Sequence, residues 1–360
     1  MVHPLPLPDF SDLVSLAKGR KTNRTTWKIE GYAKNAWFCS GADSLLNICN
    51  QRSKGSNDVH LMLPAYFCGQ SLRYLRNAGV VFIFYNLHDD LTPNYEHIKQ
   101  ILQVQKPDIF LHVHYFGQIL KQSSTRELCD NFNMTMVEDC AHVLHPSVHN
   151  HWVGDYIFFS PHKFFPVNNA SVIFSNYKMK IDSLCREKSL PFLWFLKRLL
   201  KRYFLLNKRK TSTWKVQWSS QSKFPGFFTP NSKVIDLIEA KSHNINEISK
   251  IRVKNRNTLL SSLVQFKKWE VLSNFGEKDI PYIFGMKCES EIVASELYCK
   301  FRSCGCPVMM WPDLPYELRQ STKSYSLDIE RTALTIFFFL HEQIDIDYYL
   351  KLIHQALNEK

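Results

Sequence analysis

Between Trp37 and about Phe174, short apolar segments alternate with segments of helical spacing. The apolar segments are typical of buried strands, and they cover residues 58–64, 80–85, 108–114, 134–138, 156–160 and 171–174. Helical spacing is found at residues 68–78, which Gly79 ends, and at residues 125–132. This alternation predicts an α/β domain with a largely parallel sheet, in which ligands bind beyond the carboxyl ends of the strands.

The pattern changes after residue 178, where residues 192–206 are both apolar and basic. At 100° per residue, four cations of this segment fall within an arc of ~140°: Lys197, Arg198, Lys201 and Arg202. Such a basic amphipathic helix is typical of peripheral contact with an anionic membrane. The alternative is a helix packed on its own domain or on a partner subunit, with its basic face in solvent.

From about residue 230 the pattern predicts a second domain. It contains helices at residues 232–264, 291–302 and 347–357 and strands at residues 269–272, 280–284 and 334–340. We therefore expect an irregular basic N-terminal arm over 1–30, a large domain over 31–177, a variable basic segment over 178–228 and a small C-terminal α+β domain over 229–360. The basic residues of the arm are Lys18, Arg20, Lys21 and Arg24.

Composition and charge narrow the class of partner. The chain has 360 residues, and 45 basic against 33 acidic residues give a net charge of +12, which favours an anionic partner. Nucleic acid is not expected, because no helix-turn-helix, zinc-finger or aromatic-basic sheet motif accompanies the charge. The ten cysteines have no paired zinc spacing, so no metal is expected. Without a signal-like N-terminus or a run of about 18 apolar residues, we expect a cytoplasmic protein.

One pair of residues carries the candidate chemistry. Asp139 lies at the end of a predicted strand in the segment VEDCAH (137–142), and Lys163 follows the next strand in FSPHK (159–163). A lysine that binds an aldehyde as a Schiff base and a carboxylate that keeps a pyridine nitrogen protonated are what pyridoxal 5′-phosphate (PLP) chemistry requires. Asp and Lys are common loop residues, so the pair alone is a weak signal.

The order of several motifs strengthens that interpretation. They are residues 39–45 (CSGADSL), 63–68 (LPAYFC), 112–117 (HVHYFG), 138–142 (EDCAH), 160–163 (SPHK), 311–315 (WPDLP) and 340–343 (LHEQ). Together they resemble the DegT/DnrJ/EryC1/StrS family of PLP-dependent sugar aminotransferases. The resemblance implies the fold type I transferase fold, with a large domain whose mostly parallel sheet is flanked by helices, a smaller C-terminal α+β domain, and a homodimer.

The resemblance also implies roles for individual residues. Lys163 is the implied Schiff-base lysine and proton carrier, and Asp139 the partner of the pyridine nitrogen. His142 occupies the position of a Gln or His near the ring. The cofactor phosphate is assigned to a set of residues around a helix N-terminus: Ser160, Gly41, Ala42 and Asp43. Asp43 is unexpected there, because its carboxylate repels a phosphate unless it points away.

Departures from the family pattern affect three positions. Asn168-Asn-Ala-Ser171 replaces a paired-glycine turn, and we expect Asn to supply the left-handed conformation there. The aromatic residue that stacks on the cofactor falls near Phe67 or Cys68. His162 precedes Lys163, so the lysine that related dehydratases replace with histidine is retained.

His112 and His114 share one face of a predicted strand, which is one feature of a metal pair. No third ligand is evident in the sequence. We therefore interpret them as residues at the sheet end near the cofactor pocket.

The resemblance therefore predicts an aminotransferase. An amino acid, glutamate by resemblance, is the expected donor, and a keto-sugar linked to a nucleoside diphosphate is the expected acceptor, in surface-glycan or amino-sugar biosynthesis. One alternative is a PLP-dependent sugar dehydratase. Another is a non-catalytic scaffold of the same fold at a membrane surface.

Overall fold

The computed structural model describes residues 3–18, 25–53, 58–177, 185–203, 217–219, 224–263, 269–272, 275–320 and 324–358. Its helices are α1 Phe10–Lys18, α2 Gly41–Arg52, α3 Arg73–Asn77, α4 Tyr95–Val104, α5 Ser123–Asn131, α6 Phe192–Tyr203, α7 Ser232–Ser242, α8 Ile245–Leu263, α9 Glu291–Ser303, α10 Ser326–Leu334 and α11 Ile346–Asn358. Its strands are β1 Lys34–Phe38, β2 His60–Pro64, β3 Val81–Tyr85, β4 Ile109–Val113, β5 Thr135–Cys140, β6 Tyr156–Phe159, β7 Ser171–Ser175, β8 Arg186–Glu187, β9 Trp218–Ser219, β10 Phe228–Thr229, β11 Trp269–Val271, β12 Ile283–Cys288, β13 Val308–Met309, β14 Leu314–Pro315 and β15 Thr335–Phe339.

A seven-stranded sheet in the order β1-β7-β6-β5-β4-β2-β3 forms the centre of the first half of the chain. β7 is antiparallel to both of its neighbours, and the remaining pairs are parallel. Strands β4 to β7 are buried along their whole length, as expected where helices cover both faces of a sheet. Because β7 is antiparallel to both β1 and β6, β1 runs in the same direction as β6. The ends of β1, β2, β4, β5 and β6 therefore meet at one edge.

A four-stranded sheet in the order β11-β12-β15-β13 lies in the second half of the chain. All of its pairs are antiparallel, and helices α9 and α11 pack together beside it. The apolar residues of β15 are fully buried, which explains why this segment is so hydrophobic. The predicted fold class, a mostly parallel sheet with helices plus a smaller α+β part, agrees with this architecture. The domain boundaries stay a prediction.

Three sequence-based predictions of elements were wrong. The segment predicted as one helix from 232 is two, because a turn at His243 breaks it and the Asn244 N–H bonds the Lys241 carbonyl. The strand predicted from 280 begins at Ile283, because Tyr282 bonds the backbone at Phe116 instead of a sheet neighbour. The predicted helix over 68–78 is a 3₁₀ turn at Gly69–Leu72 followed by α3.

The N-terminal arm, expected to be irregular, contains helix α1. Asp9 accepts the N–H of Asp12 at 3.0 Å, which caps the helix, and Leu16 packs into the core with Trp27. A buried apolar face thus makes this segment part of the folded structure. Arg20, Lys21 and Arg24 of the predicted basic arm lie outside the described residues.

The predicted basic helix is present as α6, and residues 204–206 of the prediction lie outside the described part of the chain. Phe195 and Leu199 bury one side of α6. Within the described ranges, none of the helices has the length and apolar content needed to cross a bilayer.

Candidate active site

A cavity of about 360 Å³ opens at the carboxyl edge of the seven-stranded sheet. Six of the seven residues that the sequence suggested for the cofactor line it: Lys163, Asp139, His142, Ser160, Gly41 and Ala42. They follow three different strands, β1, β5 and β6, whose ends meet at that edge. The volume lies within the ordinary range of small-molecule sites.

Lys163 ends a short 3₁₀ turn, Pro161–Lys163, directly after β6. Its ammonium makes no hydrogen bond or ion pair with the residues that the structure describes, and it lies 5.9 Å from the ring centroid of Tyr282. Burial lowers the pKa of this lysine, and the nearby Asp139 opposes that shift. A lysine with a lowered pKa has more of the neutral, nucleophilic amine at a given pH.

Asp139 lies on β5 and is almost fully buried. Its Oδ1 accepts the N–H of Ala141 at 2.8 Å, which fixes the carboxylate against the turn after the strand. Burial raises the pKa of Asp139, while Lys163 and the Ala141 hydrogen bond act in the opposite direction. Lys163 and Asp139 thus influence each other's protonation within the cavity.

The N-terminus of α2 lies against Ser160 at one side of the cavity. A Cβ added to Gly41 would lie 3.3 Å from the Ser160 Oγ, so glycine keeps this helix start close to the turn after β6. Ser40 caps α2 by accepting the Asp43 N–H at 3.2 Å, and its hydroxyl bonds the Asp43 carboxylate. Asp43 is not among the lining residues, because its side chain turns back to this cap. The repulsion that we expected between Asp43 and a bound phosphate is thereby reduced.

His142 lies between two aromatic rings. Its imidazole stacks on Phe116 with ring centroids 5.5 Å apart and on Tyr282 with centroids 4.9 Å apart. Burial and Lys163 lower the pKa of His142, so the ring is neutral near pH 7. Its Nδ1 accepts the Phe116 N–H at 3.3 Å, which leaves the proton on Nε2. His142 therefore presents a single fixed tautomer.

A close backbone contact between the loop after β4 and the segment before β12 places Tyr282 against His142. Phe116 and Gly117, in the loop after β4, have positive φ angles of 57° and 97°. The Tyr282 N–H donates to the Phe116 carbonyl at 2.7 Å, and a Cβ on Gly117 would lie 2.0 Å from the Ile280 carbonyl oxygen. Glycine is therefore required at position 117 by both conformation and space.

Phe67 and Cys68, the two positions suggested for the stacking residue, both line the cavity. The Cys68 thiol donates to Asp313 Oδ1 at 3.1 Å, and burial, followed by Asp313, raises the pKa of that thiol to about 11. Cys68 is therefore a protonated hydrogen-bond donor here and a weak nucleophile.

The turn at 168–171 keeps its place without left-handed residues. Neither Asn168 nor Asn169 has a positive φ, so our expectation about asparagine was wrong. Instead, His162 Nδ1 lies 2.7 Å from the Ala170 carbonyl, and Ser171 Oγ donates to the Phe159 carbonyl at 2.8 Å. Side chains, and not glycine conformations, therefore hold this turn.

A buried polar network lies behind Asp139, and His112 and His114 belong to it. Glu138 accepts His114 Nε2–H at 2.9 Å and the N–H groups of Val153 and Gly154 at 2.8 and 2.6 Å. His112 Nδ1 lies 2.9 Å from the Thr125 hydroxyl. Both histidines thus support the end of the sheet and do not line the cavity.

Several lining residues were not singled out from the sequence. Tyr282 and Trp311 come from the second half of the chain, and Arg73 begins α3. Trp311 lay inside a motif that the resemblance used, but no role was given to it. Arg73 follows the motif at 63–68 by five residues, and only its place in the fold draws attention to it.

Comparison with known proteins agrees with this geometry. Residues 33–173 match the DegT/DnrJ/EryC1/StrS aminotransferase family. That range holds β1 to β6 and the lining residues Lys163 and Asp139, and the match confirms the resemblance inferred from the sequence. A GDP-perosamine synthase of Vibrio cholerae is 24% identical over 135 residues, which are 36% of each chain. The chain thus spans about a third of the length of this curated relative.

Solved structures show the same fold over nearly the whole chain. Helicobacter pylori PseC, an aminotransferase involved in the biosynthesis of pseudoaminic acid, has a TM-score of 0.69 at 13% identity, covering 99% of this chain and 98% of that one. A GDP-4-keto-6-deoxymannose-3-dehydratase, solved with a trapped PLP-glutamate geminal diamine, has a TM-score of 0.69 at 12% identity, covering 99% and 100%. The fold type I prediction is therefore confirmed.

Proposed function

We propose that the protein is a PLP-dependent aminotransferase that acts on a keto-sugar. The observation that carries the proposal is Lys163, an unpaired lysine of lowered pKa, in one cavity with the buried carboxylate of Asp139. The match of residues 33–173 to a family of aminotransferases supports it. By resemblance, glutamate is the amine donor and the acceptor sugar is linked to a nucleoside diphosphate.

The residues present fit this cofactor. PLP supplies an aldehyde and an electron-accepting ring, and Lys163 is the amine that binds the aldehyde. Asp139 Oδ2 takes no hydrogen bond from the described residues, so it is available to a protonated pyridine nitrogen. The Gly41–Ala42 helix start and Ser160 are suited to the phosphate. With the cofactor bound, Lys163 would carry a proton between substrate and cofactor, and His142 would offer its Nε2–H as a hydrogen-bond donor from its place between Phe116 and Tyr282.

The test is covalent mapping of the cofactor. The protein loaded with PLP is reduced with borohydride, and the modified peptide is identified by mass spectrometry. We expect one pyridoxyl group on Lys163, absent from Lys163→Ala and retained in Lys121→Ala, whose lysine is exposed outside the cavity. An adduct on a different lysine, or none, would refute the proposal and favour the non-catalytic scaffold.

The dehydratase alternative is separated by a second measurement on the same protein. Exchange of the amino group between L-glutamate and PLP, followed by the change in visible absorbance, is expected for the aminotransferase. The dehydratase alternative is retained because a dehydratase is among the solved structures that share this fold. Because that dehydratase also combines PLP with glutamate, the sugar product decides between the two: a sugar that has lost a hydroxyl group and gained no amino group would favour the dehydratase. A homodimer is proposed from the resemblance alone, and a cytoplasmic location from the sequence pattern.

A surface formed by α1 and α6 supports a further part of the proposal, contact with an anionic membrane. Its exposed apolar side chains are Phe10, Val14, Phe192, Leu193, Leu200 and Tyr203. The two helices are joined where Phe10 stacks on Tyr203 at 5.1 Å and Arg202 donates to the Leu7 carbonyl at 2.7 Å.

The positive charge of α6 is the reason for proposing an anionic membrane as the occupant of the α1–α6 surface. Helix α6 has no acidic residue, and Lys197 and Arg198 form no ion pair with the described residues. The one acid of α1, Asp12, is buried and paired with Lys241 at 2.6 Å. Exposed apolar groups flanked by unpaired cations are suited to an anionic bilayer, with about 1 kcal/mol from each basic residue near the surface.

Sedimentation with vesicles tests the membrane contact. We expect binding to phosphatidylcholine vesicles that contain phosphatidylglycerol, weakened by salt and by Lys197→Glu or Leu193→Ser. Ile292→Ser is the matched control, because Ile292 is 71% exposed on α9 and Leu193 is 70% exposed on α6. Equal vesicle binding of all variants would contradict the proposal. An oligomer that Leu193→Ser dissociates would also contradict it, and would assign the surface to contact with another copy of the chain.

A further inference from the structure

Arg73 is an arginine of the cavity wall that lacks a partner. It begins α3, is half-buried and lines the same cavity as Lys163. Its Nε is buried and makes no hydrogen bond, and its guanidinium forms no ion pair with the residues that the structure describes. Its Cζ lies 4.5 Å from the ring centroid of Tyr74, so one face of the guanidinium is covered by an aromatic ring.

Three other buried or half-buried arginines, Arg76, Arg252 and Arg331, have acidic partners, although the Arg252 Nε is also buried without a hydrogen bond. Arg76, three residues further along α3, bonds Glu317 through Nε at 2.6 Å. The buried Arg252 and Arg331 lie 3.5 Å from Glu342 and 2.5 Å from Asp328, respectively. A buried donor without an acceptor is costly in a folded protein and needs an explanation. Arg73 therefore differs from them in a way that indicates a ligand.

The nearest carboxylate does not satisfy Arg73. Asp43 is close enough for Arg73 to lower its pKa, but the two groups form no ion pair, and the Asp43 carboxylate accepts the Ser40 hydroxyl instead. Gln70 and Ser71, on the 3₁₀ turn before Arg73, line the cavity beside it and add further hydrogen-bonding groups. The cavity wall thus has a planar guanidinium next to the neutral side chains of Gln70 and Ser71. A guanidinium in such a place can bind a phosphate through bidentate hydrogen bonds.

We propose that Arg73 binds a phosphate group of a ligand in this cavity. This proposal rests on the proposed function, because the cofactor and the acceptor sugar of the proposed aminotransferase both carry phosphate. Two sources share this chemistry: the phosphate of PLP and the phosphates of a nucleotide-linked substrate. Phosphate binding also explains why a guanidinium lies at the cavity wall without an ion pair to an acid of the described part of the chain.

The experiment measures binding to each source separately. Arg73→Gln removes the charge, Arg73→Lys keeps it without the planar fork, and Lys99→Gln removes an exposed cation outside the cavity. PLP affinity is measured by absorbance titration of the unloaded protein. Affinity for pyrophosphate, the probe for a nucleoside diphosphate, is measured by calorimetry on the PLP-loaded protein after borohydride treatment, whether or not the adduct has formed.

We expect Arg73→Gln to weaken one of the two ligands by about 10- to 100-fold, since a hydrogen bond to a charged group contributes that much, with Arg73→Lys intermediate and Lys99→Gln unchanged. A loss of PLP affinity assigns Arg73 to the cofactor phosphate, and a loss confined to pyrophosphate assigns it to the substrate. Unchanged affinity for both would overturn the proposal, even when the Lys163 adduct forms. A missing Lys163 adduct with pyrophosphate binding that depends on Arg73 would refute the aminotransferase and leave the phosphate site standing.

Discussion

Two carboxylates that follow each other in the chain, Glu138 and Asp139, have opposite pKa shifts. Both are buried, and burial by itself raises the pKa of a carboxyl group. For Glu138, burial is outweighed by the hydrogen bonds of His114 and Gly154, and its pKa is lowered. Asp139 accepts one backbone hydrogen bond, from Ala141, and lies near Lys163, but burial outweighs both and its pKa stays raised. The alternation of side chains along β5 thus separates a structural carboxylate from one that faces the cavity.

Glu138→Gln is expected to destabilise the protein by about 1–3 kcal/mol at pH 7, because the amide places a donor among donors in a buried network. The folded-state pKa of Glu138 is lowered, so its charge contributes stability above the unfolded value near 4.5. That contribution is lost as the pH falls through the lowered folded value.

Urea unfolding between pH 3 and pH 7 measures this effect. The difference in unfolding free energy between wild type and Glu138→Gln should shrink as the pH falls below about 4.5. Glu127→Gln, at an exposed position on α5, is the control and should match wild type throughout. A difference that does not vary with pH would show that the network does not depend on the charge of Glu138.

At the scale of elements, the loop after β4 joins the two halves of the site. Its two residues of positive φ, Phe116 and Gly117, allow the backbone to contact the segment before β12. A positive φ at a non-glycine residue such as Phe116 costs about 1–3 kcal/mol and persists only when surrounding contacts hold it. Here the Tyr282 hydrogen bond and the stacking on His142 are those contacts.

Gly117→Ala is expected to destabilise the protein by at least about 1 kcal/mol more than Gly31→Ala. Both glycines have positive φ, but a Cβ at Gly31 meets no atom within 4 Å, whereas a Cβ at Gly117 overlaps the Ile280 carbonyl. Denaturant unfolding of the two variants therefore separates steric overlap from backbone strain. Equal losses would mean that the close approach of the two segments does not contribute to stability.

The sequence pattern predicted strands correctly where the hydrophobic residues follow from burial in the sheet alone. Six of the seven strands of the large sheet, β2 to β7, are near-continuous apolar runs that were predicted to within about two residues, whereas β1 was not predicted. The prediction failed where long-range contacts override the local pattern. The helical pattern continues through His243, but a turn there separates α7 from α8. Residues 280–282 have strand character, but Tyr282 bonds the loop at Phe116.

At the scale of the whole molecule, the order of elements along the chain already determines where the site lies. Strands β1, β4, β5 and β6 run in one direction, so the residues after them share an edge. The family resemblance assigned Lys163, Asp139, His142, Ser160, Gly41 and Ala42 to one cofactor site, and the structure places all six on one cavity.

The sequence by itself thus determined the fold class and the residues at the strand ends, because both follow from periodicity, strand direction and motifs that are local in the chain. Only the tertiary structure decided which distant residues complete the site. Tyr282 and Trp311 reach the cavity through contacts between segments more than a hundred residues apart. Arg73 stands out only by comparison with Arg76, Arg252 and Arg331, which have acidic partners, and those pairs depend on packing, which no local pattern encodes.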